Sequence, residues 1–257
     1  MSAPWVLLRG LAREAAHWAE FADLLSQASE GAPVYALDLP GAGIRSREHC
    51  PTIVAAIGDK VRADFQEQAP GSRPWLVGLS LGGMVAMDWL SRRRGECAGA
   101  VIINSSAAGA SLAWERLIPS AGVTLARIAA TSNPRAREAA ILGLTSTRAD
   151  WPPAELDARA EIARLRPVSA RNAAAQIAAA GRFRLPPRPS APVLVLASLG
   201  DRVVAPRCSE RIASLWKAPC HRHPSAGHDL PLDDPRWVVD QIREWVSQLT
   251  APPSAPK

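Results

Sequence analysis

Residues 74–88, PWLVGLSLGGMVAMD, constrain the fold of this chain more than any other stretch. Trp75, Leu76 and Val77 form a short apolar run that suits a buried strand. Gly78-Leu79-Ser80-Leu81-Gly82 follows at once, and then Gly83 and the apolar series Met84, Val85, Met87, Trp89 and Leu90, which suits a packed helix. A strand that becomes a helix this quickly must turn sharply. Glycines two before and two after the serine leave room for that turn. The helix then begins beneath Ser80, so its first free N–H groups and positive dipole end face any negative charge forming there.

A serine in such a turn is a candidate nucleophile, but its hydroxyl is inert until a base takes the proton and an acid orients the base. Asp201 is the candidate acid. It follows the apolar run Leu194-Val195-Leu196-Ala197-Ser198 across Leu199-Gly200, just past a strand's carboxyl end. His228 is the candidate base, on the small-residue loop Ser225-Ala226-Gly227-His228-Asp229. His221 and His223 alternate with Arg222 and read as strand residues, while His17 and His49 read as surface positions on a helix or loop. Asp38 and Asp88 are rival acids, for which a structural role is the better reading.

The rest of the chain supplies strands and helices in alternation. Strands are expected at 5–8, 34–39, 75–77, 100–104 and 192–198, with a short sixth near 219–223. Helices are expected at about 15–27, 52–68, 84–90, 206–216 and 237–249. Apolar strands alternating with helices imply a mostly parallel sheet covered on both faces, with sites outside the strands' carboxyl ends. Residues 105–190 interrupt the alternation. They are Ala- and Arg-rich and helical in tendency, with breaks at Pro119, Pro134, Pro152-Pro153 and Pro167, and read as a helical cap over the strand ends. The core is expected at 1–104 and 191–250, and the Pro-rich tail 251–257 reads as disordered.

At 257 residues the chain is long enough for one domain with a sizeable core. Hydrophobic content of 47% and a mean hydropathy of −0.03 are ordinary for a soluble protein, and no apolar run reaches the roughly 20 residues of a membrane span. The start, MSAPWVLLRG, lacks the pattern of a signal peptide. Cys50, Cys97, Cys208 and Cys220 are scattered, as reduced thiols of a cytoplasmic protein would be, and no metal site is expected. Of the net charge of +6, residues 105–190 hold 12 Arg against 6 acids. These arginines lie among alanines without interleaved aromatics, which argues against nucleic acid and for acidic substrates.

The order Ser80, Asp201, His228 is that of the α/β-hydrolases. The chain resembles that family from Trp5 to about Leu249, through GLSLGG at 78–83, LDLPGAG at 37–43, GDRVVAP at 200–206 and AGHDLPLDDP at 226–235. It is similar to the small capped serine esterases related to pimeloyl-carrier-protein methyl ester esterase. The resemblance implies a three-layer α/β/α hydrolase fold with a helical cap and no cofactor. It casts Ser80 as nucleophile, His228 as base and then acid, and Asp201 as the residue holding the imidazole. The backbone N–H groups of Leu81 and Leu11 would form the oxyanion hole.

Two departures stand out. Arg9-Gly10 replaces the family's usual His-Gly, and both are carried as substrate-binding candidates. Arg9 is expected to point into solvent or a surface ion pair, the alternative being that it shapes the pocket floor or meets an acidic group of the substrate. The chain also begins at what would be the family's third strand, so a sheet of about six strands is expected. The implied reaction is hydrolysis of a small-molecule ester or thioester, with an acyl group bearing a carboxylate or an acidic acyl-carrier protein as partners suited to a basic cap. C–C bond hydrolysis or cofactor-free peroxidation on the same triad, or ligand binding without catalysis, are the other readings.

Overall fold

The computed structural model describes residues 3–250. In chain order these are β1 (Trp5–Leu8), α1 (Phe21–Ala28), β2 (Val34–Leu37), α2 (Val54–Gln68), β3 (Trp75–Leu79), α3 (Leu81–Arg92) and β4 (Gly99–Ile103). Five helices follow without a strand: α4 (Ala113–Arg116), α5 (Pro119–Ala130), α6 (Pro134–Thr145), α7 (Pro153–Leu165) and α8 (Ala170–Arg182). The chain then returns through β5 (Val193–Ser198), α9 (Arg207–Trp216), β6 (Cys220–His223), α10 (Leu230–Asp233) and α11 (Pro235–Thr250).

All six strands are parallel, in the order β2-β1-β3-β4-β5-β6. Because the side-chain period of a strand is two, each strand feeds both faces of the sheet. Val6, Leu8, Leu76, Ile102 and Val195 pack with Ile57, Phe65, Trp89 and Ile212 on one face. Trp5, Leu7, Val77, Val101, Ile103 and Leu196 pack with Phe21, Leu25, Val238 and Trp245 on the other. Burial on both faces is why the strands read as continuous apolar runs. Each such side chain contributes about 1.5–3 kcal/mol. The result is a three-layer α/β/α sandwich.

Strand order reverses between β1 and β3, which are neighbours with Leu8 opposite Gly78. Crevices form at such switch points outside the carboxyl ends of the strands. The ends of β1 and β3 lead into Gly10 and Ser80.

The expected helix at 15–27 is instead a 3₁₀ turn at Ala15–Trp18 followed by α1. Ala19 has φ 47°, which no helix accommodates, and the chain changes direction there. In the inserted helices, Pro119, Pro134 and Pro153 each occupy the first turn, where the missing N–H costs nothing. These prolines start helices as well as separating them. The segment between β4 and β5 is bonded to the loops that follow β1, β2 and β5. Gln176 accepts from the Ala12 N–H (2.9 Å), Asn172 accepts from Cys50 N–H (3.0 Å), and Ile118 N–H donates to Val203 O (2.9 Å). The expected tail at 251–257 lies outside the described residues.

Candidate active site

Ser80 sits at φ 57°, ψ −116°, between the last residue of β3 and the first of α3. The turn is held from three sides. Ser80 N–H donates to Ile103 O (2.9 Å), Met84 N–H donates to Ser80 O (3.1 Å), and Ser105 Oγ donates to the same carbonyl (2.8 Å). The flanking glycines are required by contact. A Cβ on Gly78 would lie 2.4 Å from Gly82 O, and one on Gly82 would lie 2.0 Å from Leu8 O. Strained backbone costs about 1–3 kcal/mol and persists only where its surroundings over-determine it, as they do here.

Gly10 packs directly on the serine: a Cβ there would be 3.2 Å from Ser80 Cβ and 3.7 Å from its Oγ. The Gly10-Leu11 loop and the start of α3 at Leu81 therefore converge on one side of Ser80. The first N–H groups of a helix have no partner within it, which leaves Leu81 suited to an oxyanion.

The carboxylate of Asp201 is shared between backbone and imidazole. Its Oδ1 accepts from the N–H groups of Val203 (2.7 Å) and Val204 (3.0 Å), which fixes the plane of the carboxylate. Its Oδ2 lies 2.7 Å from His228 Nδ1. Both residues are buried. Burial disfavours the imidazolium, but the Asp201 charge and its hydrogen bond outweigh that and hold the His228 pKa above its ordinary 6.5, with Asp229 adding and Arg9 opposing. With Nδ1 committed to Asp201, Nε2 is the nitrogen available to a serine. A Ser80–His228 hydrogen bond is not formed among the described residues. In sites without substrate such contacts are commonly long and tighten on binding.

The structure corrects the expectation for Arg9. It is 2% exposed, and it meets an acidic group of its own chain. Its Nη1 donates to Asp229 Oδ1 at 3.0 Å and its Nη2 to Asp229 Oδ2, across 220 residues of sequence. Its guanidinium also lies 4.8 Å over the Trp18 ring. Burial raises the Asp229 pKa, but Arg9, followed by Arg13 and Arg159, reverses this and holds it below the ordinary range. The pair joins the residue before Gly10 to the residue after His228. His17 is a second correction. It is buried, its Nδ1 accepts from the Glu14 N–H (3.1 Å), and burial, then Arg13, Arg9 and Arg159, push its pKa far down.

Sequence reasoning missed three residues that position the histidine loop. Asn104, with φ 44°, donates from Nδ2 to His228 O (2.9 Å), Gly227 O (3.3 Å) and Ser198 Oγ (2.9 Å), and accepts from Ser198 N–H (2.8 Å). Asp233 accepts from Gly227 N–H (2.6 Å) and Thr147 N–H (3.0 Å), which ties the loop to the end of α6. Asp229 is the third. An Asn ending an apolar strand and the acids of HDLPLDDP were the available signals. The rival acids have other tasks. Asp38 accepts from Ala15 N–H (2.7 Å) and Ile44 N–H (2.9 Å), and Asp88 pairs with Arg92 (2.8 Å).

A cavity of about 560 Å³ opens between α5, α6 and the Asp201-Arg202 loop, walled by Ile118, Ala121, Thr124 and Leu144 among others. Ser80 is not among its walls, so it is not the space over the serine. Among the described residues no helix is long and apolar enough to cross a membrane.

Comparison with curated proteins finds no match. Solved structures share the fold. A bacterial membrane phospholipase A described as a virulence factor superposes with a TM-score of 0.76 at 22% identity, over 97% of this chain and 80% of that one. An esterase from Rhodococcus sp. ECU1013 gives 0.72 at 20% identity, over 96% and 91%. A hydrolase from Pseudomonas aeruginosa gives 0.70 at 23% identity, over 97% and 91%. The model of the alpha/beta hydrolase family matches residues 5–241, and with a parallel sheet and a strand-turn-helix serine in place the chain belongs to that family.

Proposed function

We propose that this protein is a serine hydrolase that cleaves a carboxylic ester or thioester through an acyl-enzyme on Ser80. The observation that carries the reading is a buried His228 whose Nδ1 is bound to Asp201 at 2.7 Å, in a chain whose Ser80 is held in a strained strand-to-helix turn backed by Gly10. Ser80 Oγ attacks the acyl carbonyl while His228 Nε2 takes its proton. Asp201 stabilises the imidazolium and fixes the tautomer. The oxyanion is held by the backbone N–H groups of Leu81 and Leu11, each worth on the order of 10²–10³ in rate. His228 returns the proton to the leaving alcohol or thiol, and water repeats the sequence to free the acid. Gly10 lets the first loop pack against Ser80, and Arg9 holds Asp229, the residue after His228.

The esterase and the phospholipase among the structural neighbours favour an ester as the bond cleaved. The test is hydrolysis of p-nitrophenyl esters from acetate to decanoate by the wild type and by Ser80→Ala. Turnover that falls by about 10⁴ or more in the variant supports the reading. Equal turnover by both proteins contradicts it.

A further inference from the structure

The loop after β1 is held from the segment between β4 and β5 at three successive residues. The Ala12 N–H donates to Gln176 Oε1 on α8 (2.9 Å), Arg13 donates to Glu138 on α6 (2.8 and 2.9 Å), and Glu14 accepts from Arg166 at the end of α7 (3.0 Å). The two ion pairs fix the side chains of the loop. The Gln176 contact is different in kind, because it takes hold of the backbone.

The conformation of that backbone shows what the contact does. Arg13 N–H donates to Gly10 O (3.2 Å), which closes a four-residue turn, and within it Ala12 alone has a positive φ, 54°. A positive φ at the third residue only defines a type II turn, a position that favours glycine and strains alanine. Relaxation of Ala12 to a negative φ would convert the turn to type I by flipping the Leu11–Ala12 peptide. The Ala12 N–H that Gln176 accepts belongs to that peptide. A flip would bring the Leu11 carbonyl oxygen to Gln176 Oε1, one buried acceptor against another. Gln176 is 0% exposed, and its Nε2 donates to Pro40 O (3.4 Å), so the amide is oriented with Oε1 toward Ala12.

We infer that Gln176 is a positioning residue for the oxyanion hole, locking the strained turn that carries the Leu11 N–H. The inference rests on the hydrolase reading above. The link to the serine is short, because Gly10, the first residue of the turn, packs on Ser80 and Leu11 is next in the chain. An oxyanion donor acts on charge that develops in the transition state, so a displaced turn lowers kcat and leaves KM nearly unchanged. A side chain 164 residues from Ala12 thereby completes the catalytic geometry.

The test is p-nitrophenyl butyrate hydrolysis by the wild type and by variants of both partners. Gln176→Leu offers no acceptor, and its kcat is expected to fall by about 10- to 100-fold with little change in KM. Gln176→Glu keeps an acceptor for the Ala12 N–H and is expected to keep most of kcat. Ala12→Gly removes the Cβ that opposes the turn, and added to Gln176→Leu it is expected to restore most of the lost rate. An alkyl trifluoromethyl ketone supplies a second readout. Its carbonyl carbon takes Ser80 Oγ, its oxygen becomes the oxyanion, and the proton passes to His228. Its Ki is expected to rise in Gln176→Leu by the factor by which kcat/KM falls, while the pH midpoint set by His228 stays in place. Should the leucine variant fail to fold, Gln176→Asn, which withdraws the amide by one methylene, carries the same expectations. Wild-type kcat in the folded variant overturns the inference. So does a loss that Ala12→Gly leaves untouched or that comes with a shifted pH midpoint, since either assigns Gln176 to general packing. These outcomes leave the hydrolase reading standing. A wild type with neither turnover nor fluorophosphonate labelling overturns that reading and this inference with it.

Discussion

Replacing Arg9 by Met leaves the Asp229 carboxylate buried with no partner on its two strongest contacts. Removing one member of a buried ion pair costs about 3–5 kcal/mol, because the remaining charge cannot reach water. Set against a total stability of about 5–15 kcal/mol, that is a large fraction. At about 2–4 °C per kcal/mol for a domain near this size, the melting temperature should fall by about 6–20 °C. Arg9→Met combined with Asp229→Leu removes both charges and should recover most of the loss, so the two substitutions couple strongly. Urea unfolding followed by tryptophan fluorescence measures all four proteins, with an unchanged slope showing that the same transition is compared. The pH dependence has a definite sign. Asp229 has a folded pKa below its unfolded value, so its contribution is present above the ordinary carboxylate range and is lost as pH falls through the depressed value. Arg9→Met should lose that acid-side dependence. A single substitution costing under about 1 kcal/mol, or a double variant that costs the sum of the singles, would refute the account of Arg9 as a strut between the two loops.

The remaining expectations concern the histidine. Asn104→Ala strands Ser198 N–H and His228 O without partners and places Ala at φ 44°; it should cost about 2–4 kcal/mol in urea unfolding and lower kcat as the His228 loop loosens. Because His228 acts as a base only when neutral, kcat/KM should rise with pH along a limb centred above 6.5. Asp201→Asn leaves burial unopposed by that carboxylate, so the limb should move to lower pH while kcat falls by about 10³–10⁴, read from pH–rate profiles of both proteins.

Much of this was legible in the sequence because the relevant signals are local. Strands buried on both faces of a parallel sheet are apolar throughout, and β1, β3, β4 and β5 could be placed to within a residue or two. The serine turn carries its own steric requirement in Gly78 and Gly82, and Asp201 and His228 stand on loops that follow recognisable strands. What escaped was long-range or conformational. Arg9 and Asp229 are 220 residues apart, and neither local pattern announces a partner, so a buried strut read as a surface arginine. His17 read as a surface residue because the 3₁₀ turn that buries it replaced a regular helix, and the left-handed Ala19 that ends the turn has no side-chain signal. Asn104 looked like the polar end of a strand. Its importance lies in the loop it reaches, 123–124 residues further on.

The central claim is that Ser80 is an activated nucleophile, and the most direct measurement is intact-mass analysis after treatment with a fluorophosphonate. The account predicts a single phosphonyl adduct on the wild type, mapped to Ser80, no adduct on Ser80→Ala, and labelling slowed by orders of magnitude in His228→Ala. A folded wild type that stays unlabelled, or an adduct that persists on Ser80→Ala, would contradict it.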